Sequence, residues 1–233
     1  MSIYLRYLLV LFISLSQLFG SCVAKQPAEE AVNNPKYLSG IIQVAVLPEN
    51  FKPSKSHEHG QRRLIFIGDI HGAYEELVSL LEKVEYKSST GIIYLPHIVN
   101  CLDHVVFLGD LVAKGPHSLK VVKLAMKINA SCVIGNHDYE LLDWMGYIDS
   151  VGDSRFDMFV NPEDLPNEHV LGAEEHTIAM GFDNRAAEWM LKCPLILRVG
   201  NVDGEELVAV HAGLLPGKSI QNQGYFLFDC NIN

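Results

Sequence analysis

Three observations predict an α/β fold built on a mixed sheet. Residues 105–138 contain an apolar run, a segment with helical periodicity and a second apolar run, which indicates strand, helix, strand. A further apolar run at residues 64–67 ends in a glycine-bounded turn before another helical segment. Two later apolar runs, at residues 195–199 and 207–210, flank the turn-forming residues 201–204, which is typical of a hairpin. The sequence therefore predicts parallel core strands with an antiparallel hairpin at the edge.

The first 24 residues have the composition of a secretory targeting segment. Residues 1–6 carry one positive charge, residues 7–20 are mostly apolar, and the small residues 22–24 precede a cleavage point before Lys25. An uncleaved signal anchor is the alternative, because the apolar stretch approaches the ~17–25 residues that a spanning helix needs. Both interpretations place the protein in the secretory-pathway lumen, and the second anchors it to the membrane through this segment.

Residues 25–61 are predicted to form a linker, because they contain four prolines and many polar residues. A short strand is expected within this linker at residues 41–47. The remaining residues, 62–233, are expected to form one domain, and they contain no internal repeat.

Helical periodicity predicts the helices of this domain. The apolar stripe of the first helix consists of Leu77, Leu80, Leu81 and Val84, and that of the second of Val121, Leu124, Ala125 and Ile128. Residues 139–145 and 186–192 are also expected to be helical, and Pro194 ends the last helix. Residues 86–103 indicate an irregular connection. The acidic, poorly periodic residues 147–183 are expected to form an excursion above the sheet edge, where substrate-selecting loops usually lie.

The charge of the chain limits its partners. The formal net charge is −10, which argues against a non-specific nucleic-acid binder because such proteins need a basic face. An anionic substrate would need local cations to overcome this field, and bound metal ions are the obvious source.

The cysteines do not form a metal-binding pattern. Removal of the leader would leave Cys101, Cys132, Cys193 and Cys230, whose spacing fits no zinc knuckle. Disulfides are permitted in a lumenal protein. Cys132 lies inside an apolar strand, and we expect it to be a buried thiol.

Polar residues of the kind that bind metals follow four of the predicted strands. These residues are Asp69, His71, Asp110, Asn136, His137 and His211. Because sites in open α/β sheets form at the carboxyl ends of the strands, we expect these side chains to meet at one edge. One such cluster alone usually marks a turn, but four clusters on successive strand ends favour a metal site.

The order of the clusters suggests how two metal ions would be shared. Asp110 follows the strand between the other two clusters, so its carboxylate is expected to bridge both ions. Asp69 and His71 would hold one ion. Asn136 and His211 would hold the other. These ligand types suit Zn, Mn, Co, Mg or Fe, and two such ions polarise the attacking and leaving oxygens of an in-line phosphoryl displacement.

Two further residues are expected to act on the substrate. His137 follows the ligand Asn136 directly, so its side chain leaves the strand end in another direction and is the natural acid for the leaving oxygen. Lys114 lies four residues past Asp110, where its charge can meet a substrate phosphate. We therefore assign His137 to catalysis and Lys114 to substrate binding.

The motifs that carry these residues resemble those of phosphoprotein-phosphatase-type metallophosphoesterases, which have the calcineurin-like fold. They read GDIHG at 68–72, GDLVAKGPHS at 109–118, GNHD at 135–138 and HAGL at 211–214. The second motif is similar to that of the ApaH-like branch, the symmetrical bis(5′-nucleosyl)-tetraphosphatases. A secretory leader on such a domain resembles the fungal vacuolar endopolyphosphatases.

This resemblance implies a fold, a cofactor and an activity. The implied fold is a four-layer α/β/β/α sandwich with a site for two divalent metal ions. The implied activity is hydrolysis of phosphoanhydride bonds in inorganic polyphosphate or dinucleoside polyphosphates, and the implied location is the vacuole, either lumenal or membrane-anchored.

Two departures from the family pattern leave alternatives open. Protein phosphatases carry an Asp where Ala113 stands, and that Asp orients the His of the GNHD motif, so Ala113 disfavours a serine/threonine protein phosphatase. The family also places a further metal-binding His on a later strand, but no histidine follows His211. We therefore expect a C-terminally truncated domain, incomplete in its last strands, and a non-catalytic remnant is the third alternative.

Overall fold

A computed structural model of the chain describes residues 41–52, 63–86, 103–147, 173–202, 205–214 and 216–223. The predicted targeting segment, most of the predicted connection at 86–103 and residues 148–172 lie outside the described residues. None of the described helices has the length and apolar character needed to cross a membrane.

The described elements alternate between strands and helices. The strands are β1 (Val44–Val46), β2 (Leu64–Ile67), β3 (His104–Phe107), β4 (Ser131–Cys132), β5 (Ile196–Val202) and β6 (Glu205–Val210). The helices are α1 (Tyr74–Lys83), α2 (Ser118–Lys127), α3 (Asn136–Trp144), α4 (Ala173–Ala179) and α5 (Asn184–Met190). The short strand predicted at residues 41–47 is confirmed as β1.

The strands form two sheets of three strands each rather than one mixed sheet. The first sheet has the order β2-β3-β4 and is entirely parallel, with Leu64 opposite His104. The second has the order β1-β5-β6, in which β1 runs parallel to β5 and the predicted hairpin of β5 and β6 is antiparallel. The single mixed sheet expected from the apolar runs was wrong because an apolar run does not specify which strand it pairs with. Two sheets agree with the layered sandwich that the family resemblance implied.

Side chains along β2 and β3 alternate between two cores. Leu64 and Phe66 pack against the second sheet, in a cluster that includes Leu197. Their neighbour Ile65 packs with the helices, in a cluster that includes Leu81. Because both faces are covered, these strands are continuous apolar runs, and each large side chain buried here contributes about 1.5–3 kcal/mol. The described residues thus form helix, sheet and sheet layers.

The two amphipathic helices follow the predicted periodicity. Leu77 and Leu81 of α1 are buried in the core, as are Val121 and Ala125 of α2. Helix α3 begins at Asn136, three residues earlier than the predicted boundary at 139. The site residues that follow β4 therefore belong to the first turn of a helix rather than to a loop.

Helix α4 lies inside the segment that was expected to lack regular structure. It spans only seven residues, too few for periodicity to reveal it. Its stability comes from tertiary packing, since the imidazole of His176 contacts the ring of Trp144 on α3 at a centroid distance of 4.7 Å. This contact places α4 beside the helix that begins with Asn136.

Cys132 is not a free thiol, as the sequence suggested, but forms a disulfide with Cys193. The backbone N–H of Ile134 donates a hydrogen bond of 3.0 Å to the carbonyl of Pro194, which brings the end of β4 beside the turn after α5. The two Cα atoms are 5.0 Å apart across a sequence separation of 61 residues. Apolar surroundings alone could not distinguish a buried thiol from a buried disulfide.

Candidate metal centre

Polar side chains from both sheets meet at the carboxyl ends of their strands. Asp69 and His71 follow β2, Asp110 follows β3, and His211 follows β6 of the second sheet. Asn136 reaches the same place from the first turn of α3. The structure therefore brings the predicted ligand residues together, but it does so at the junction of two sheets rather than at one sheet edge.

The carboxylate of Asp110 lies between two imidazole rings. Its Oδ1 atom is 3.5 Å from Nε2 of His211, and its Oδ2 atom is 3.5 Å from Nε2 of His71. The residue is only 3% exposed. A buried carboxylate with one nitrogen donor beside each oxygen has the arrangement expected of a bridging ligand.

The ring of His211 is oriented by the backbone. Its Nδ1 atom donates a hydrogen bond of 2.8 Å to the carbonyl oxygen of Leu108, so Nε2 keeps its lone pair in the neutral ring. That lone pair faces Oδ1 of Asn136 at 3.1 Å and Oδ1 of Asp110 at 3.5 Å. Three electron-pair donors thus converge with no hydrogen between them, and a bound cation would satisfy all three.

The ring of His71 is oriented in the same way from the other side. Its Nδ1 atom donates to the carbonyl oxygen of Val112 at 3.1 Å, so in the neutral ring the lone pair lies on Nε2. Burial lowers the pKa of His71 below its ordinary value, and the charge of Lys114 adds to this effect against the opposing charge of Asp110. A neutral imidazole is the form that binds metals.

Two groups of side chains have the geometry of a cation site, and they share Asp110. Asp69, Asp110 and His211 form one group, and His71, Asp110 and His137 form the other, with the ligand atoms within 4.8 Å of one another in each. The donor set of imidazole and carboxylate fits a divalent ion. The pairing differs from the sequence prediction, because Asp69 is grouped with His211 and not with His71.

His137 is held on three sides. Its backbone N–H donates to Oδ1 of Asp110 at 3.1 Å, and its ring contacts His71 edge-to-face at a centroid distance of 5.1 Å. Its Nδ1 atom hydrogen-bonds the carboxylate of Glu175 on α4. Burial lowers the pKa of His137, but the hydrogen bond to Glu175 and the charge of Asp110 outweigh it and leave the pKa above its ordinary value.

Sequence reasoning missed Glu175. It lies in the segment that was interpreted as an irregular excursion, 38 residues from His137. The only available signal was the acidic composition of that segment, which does not distinguish one carboxylate from another. Ala113, where protein phosphatases carry an Asp, is buried, and in this protein the carboxylate beside His137 comes from Glu175.

Asp138 fixes the loop that carries Asp110, a role that was not predicted. Its carboxylate accepts hydrogen bonds from the N–H groups of Leu111 at 2.9 Å and Gly135 at 3.0 Å. Burial and the charge of Asp110 together raise the pKa of Asp138 to about 6, against the lowering effect of these donors. The buried side chain thereby joins the loop after β3 to the start of α3.

Lys114 lies at the exposed rim of the site. Its Nζ atom is 3.1 Å from Nε2 of His71, and its backbone N–H donates to the carboxylate of Glu174. The side chain is therefore close enough to the candidate metal ligands to contact a phosphate bound there, as its predicted role requires.

The backbone around the site is strained. Asp69, His71, Asp110, Ala113 and Lys114 all have positive φ angles, between 34° and 68°. Such conformations cost of order 1–3 kcal/mol each in non-glycine residues and cluster at functional sites. At Gly135 no side chain fits, since an added Cβ would lie 2.2 Å from Oδ1 of Asp110. These unfavourable backbone conformations occur where the polar side chains of the site converge.

Comparison with known proteins identifies the family. The sequence profile of the calcineurin-like phosphoesterases matches residues 62–227. This chain belongs to the calcineurin-like phosphoesterase family. The α/β metallophosphoesterase fold expected from the four motifs is thereby confirmed, and the family binds divalent metals of the kind that the Asp and His groups would accept.

Several relatives of this calcineurin-like phosphoesterase are symmetrical bis(5′-nucleosyl)-tetraphosphatases. That of Coxiella burnetii is 33% identical over 162 residues, which cover 69% of this chain and 45% of the relative. That of Salmonella paratyphi C is 32% identical over 66% of this chain and 44% of its own length. The chain therefore spans somewhat less than half the length of the relatives that it matches.

A solved structure shares the fold. The crystal structure of a protein provisionally assigned as a diadenosine tetraphosphatase has a TM-score of 0.53 and 26% sequence identity. The match covers 79% of this calcineurin-like phosphoesterase and 60% of the solved chain.

Proposed function

We propose that this calcineurin-like phosphoesterase is a divalent-metal-dependent phosphohydrolase that cleaves phosphoanhydride bonds. Dinucleoside polyphosphates and inorganic polyphosphate are its proposed substrate class. The observation that carries the proposal is the position of Asp110, whose two carboxylate oxygens each lie 3.5 Å from an imidazole Nε2 atom. The tetraphosphatases among the relatives support the substrate class.

Each candidate residue has a role in this proposal. Asp69, Asn136 and His211 would hold one ion, His71 would hold a second, and Asp110 would contact both. When bound, two divalent ions polarise the attacking and leaving oxygens of an in-line phosphoryl displacement. Which of Zn, Mn, Co, Mg and Fe would bind depends on the affinity of the site and on the concentration of each ion, since the donor set suits all of them.

Two side chains would act on the substrate itself. His137 would protonate the leaving phosphate oxygen through Nε2, because Nδ1 is engaged by Glu175. Lys114 would bind a substrate phosphate as a point charge and supply a local cation in a chain whose formal net charge is −10. Together they supply the proton and the positive charge that a departing polyphosphate needs.

A comparison of three substrates tests this proposal. Purified protein, stripped of metal and resupplied with one ion at a time, should hydrolyse diadenosine tetraphosphate or polyphosphate and should leave a phosphoserine peptide largely intact. Preferential turnover of the phosphopeptide would favour a protein phosphatase. Fewer than two tightly bound ions and no turnover of any substrate would favour the non-catalytic remnant.

We also propose that the protein acts in the secretory pathway, most specifically in the vacuole. The leader-like composition of residues 1–24 and the disulfide between Cys132 and Cys193 support an oxidising compartment. The proposed similarity to fungal endopolyphosphatases has the same implication. A carboxyl-terminal fluorescent fusion should co-localise with a vacuolar marker, and a diffuse cytosolic signal would contradict this location.

A further inference from the structure

Helix α4 places a buried carboxylate directly on the imidazole of His137. The side chain of Glu175 is 1% exposed, and its Oε1 atom hydrogen-bonds Nδ1 of His137. An ionised carboxylate can only accept hydrogen bonds, so Nδ1 must carry the proton of this contact. The other ring nitrogen, Nε2, is then the atom left for chemistry.

The remaining contacts of His137 leave its ring little freedom. Its backbone N–H is bonded to Asp110, and its ring lies edge-to-face against His71. These contacts fix the position of the residue but do not select which nitrogen carries the proton. Among the described residues around His137, Glu175 is the one that hydrogen-bonds a ring nitrogen, and this contact selects the tautomer.

Contacts to the loop after β3 and to helix α3 hold helix α4 in place. The carboxylate of Glu174 accepts a hydrogen bond from the backbone N–H of Lys114, in the loop after β3. His176 packs against Trp144 of α3 at a ring-centroid distance of 4.7 Å. Three consecutive side chains of α4 thus contact the loop after β3, His137 and the carboxyl end of α3, and the middle one reaches His137.

We propose that Glu175 is a positioning residue, which holds the imidazole of His137 with Nδ1–H toward its carboxylate and Nε2 toward the leaving oxygen. The inference rests on the proposed function, in which His137 is the acid. The oxygen of an attacking water bonds to phosphorus as the P–O anhydride bond breaks, and the electron pair of the broken bond goes to the leaving oxygen. That oxygen takes the proton from Nε2 of the doubly protonated ring, while the Nδ1–H bond to Glu175 stays intact. The attacking water releases one proton to solvent and solvent returns one proton to Nε2, so the net change is the addition of one water molecule across the anhydride.

The kinetic test replaces Glu175 by its uncharged isostere. In Glu175→Gln the amide can donate to Nδ1, and loss of the Nε2 proton would then leave an imidazolate instead of a neutral ring, so kcat on diadenosine tetraphosphate should fall by about 10²-fold with KM within about twofold. In His137→Ala kcat should fall by about as much, and in the double variant it should fall by no more than the larger single loss.

A second substrate removes the need for an acid. With p-nitrophenyl phosphate, whose leaving group needs no protonation, the loss of kcat in Glu175→Gln should stay below about fivefold. Glu188→Gln, an exposed glutamate on α5, is the matched control.

A second measurement does not depend on turnover. In metal-free protein labelled with ¹⁵N-histidine, the His137 ring, assigned by its loss in His137→Ala, should show a protonated Nδ1 in the wild type. Glu175→Gln should shift it toward the Nε2–H tautomer, whereas Glu188→Gln should leave it unchanged. Circular dichroism and thermal unfolding verify that each variant is folded.

The possible outcomes separate this inference from the proposed function. An active wild type whose turnover and His137 tautomer are unaffected in Glu175→Gln would overturn the role of Glu175 alone. Equal losses on both substrates together with weakened metal binding would also overturn it, because His137 would then be a metal ligand supported by Glu175. A wild type that turns over no phosphoanhydride with any ion would contradict the proposed function.

Discussion

Asp110 and His211 come from different sheets, yet Oδ1 of the carboxylate lies 3.5 Å from Nε2 of the imidazole. Neither atom has a hydrogen to offer when the imidazole donates through Nδ1 to Leu108. Two lone pairs face one another at this distance without cost only when a cation lies between them or the ring becomes protonated. The packing of the two sheets therefore creates a site for positive charge.

Replacement of Asp110 by Asn should abolish the function of this site. The variant keeps the shape of the side chain but removes the negative charge shared by both ligand groups. We expect the bound metal to fall from two ions to at most one, and phosphoanhydride hydrolysis to fall by about 10³-fold or more, equivalent to several kcal/mol. Metal content by mass spectrometry and steady-state kinetics measure both effects.

The matched control for this variant is Glu205→Gln, which removes the same charge from an exposed residue at the start of β6. It should bind metal and turn over substrate like the wild type. Retention of two ions and of full turnover in Asp110→Asn would contradict the two-metal proposal.

Replacement of Lys114 by Ala should weaken substrate binding more than it slows chemistry. Its Nζ atom lies beside the candidate ligand His71 at the exposed rim, where it can meet a phosphate group. We expect KM for diadenosine tetraphosphate to rise about tenfold, equivalent to about 1.4 kcal/mol, with a smaller change in kcat. Lys192→Ala removes an exposed charge from the turn after α5 and should leave KM unchanged. A purely kcat-based loss in Lys114→Ala would argue against a role in binding.

Reduction of the disulfide between Cys132 and Cys193 should destabilise the fold. The bond closes a loop with a sequence separation of 61 residues, for which about 2–4 kcal/mol of stabilisation is typical. The midpoint of urea unfolding of the wild type should shift to a lower urea concentration when a reductant is present. The Cys132→Ala/Cys193→Ala variant should unfold at lower urea under both conditions and should not respond to reductant.

A mass-spectrometric control accompanies this measurement. Alkylation without prior reduction should leave the peptides that contain Cys132 and Cys193 unmodified and linked. Full alkylation of both thiols in protein purified from an oxidising compartment would contradict the disulfide.

The stability of the metal-free protein should depend on pH through His137. The pKa of its imidazole is raised above 6.5 in the folded state by Glu175 and Asp110, so folding favours the protonated ring. This stabilisation is fully present below about pH 6.5 and is lost as the pH rises through the folded-state pKa. The free energy of unfolding, measured with urea at a series of pH values, should therefore decline above pH 6.5.

The same measurement on His137→Asn isolates this contribution. The variant cannot titrate, so its free energy of unfolding should decline less over the same pH range than that of the wild type. Identical pH profiles for the two proteins would show that protonation of His137 is not linked to folding.

The sequence by itself determined the strands, the two amphipathic helices and the polar clusters that follow the strands. These features depend on periodicity within a few residues and on short motifs, such as the apolar run before Gly109 and Asp110. Because parallel strands end at the same side of a sheet, the meeting of Asp69, His71 and Asp110 followed from order alone.

Only the tertiary structure decided which strands pair in each sheet, the partner of Cys132 and the carboxylate that contacts His137. Glu175 is 38 residues from His137, and Cys193 is 61 residues from Cys132. No local pattern encodes such a pair, because the contact depends on how complete helices and sheets pack against one another. The same packing set the grouping of ligands around Asp110, since the side on which His211 arrives depends on the second sheet and not on the residues that surround His211 in the chain.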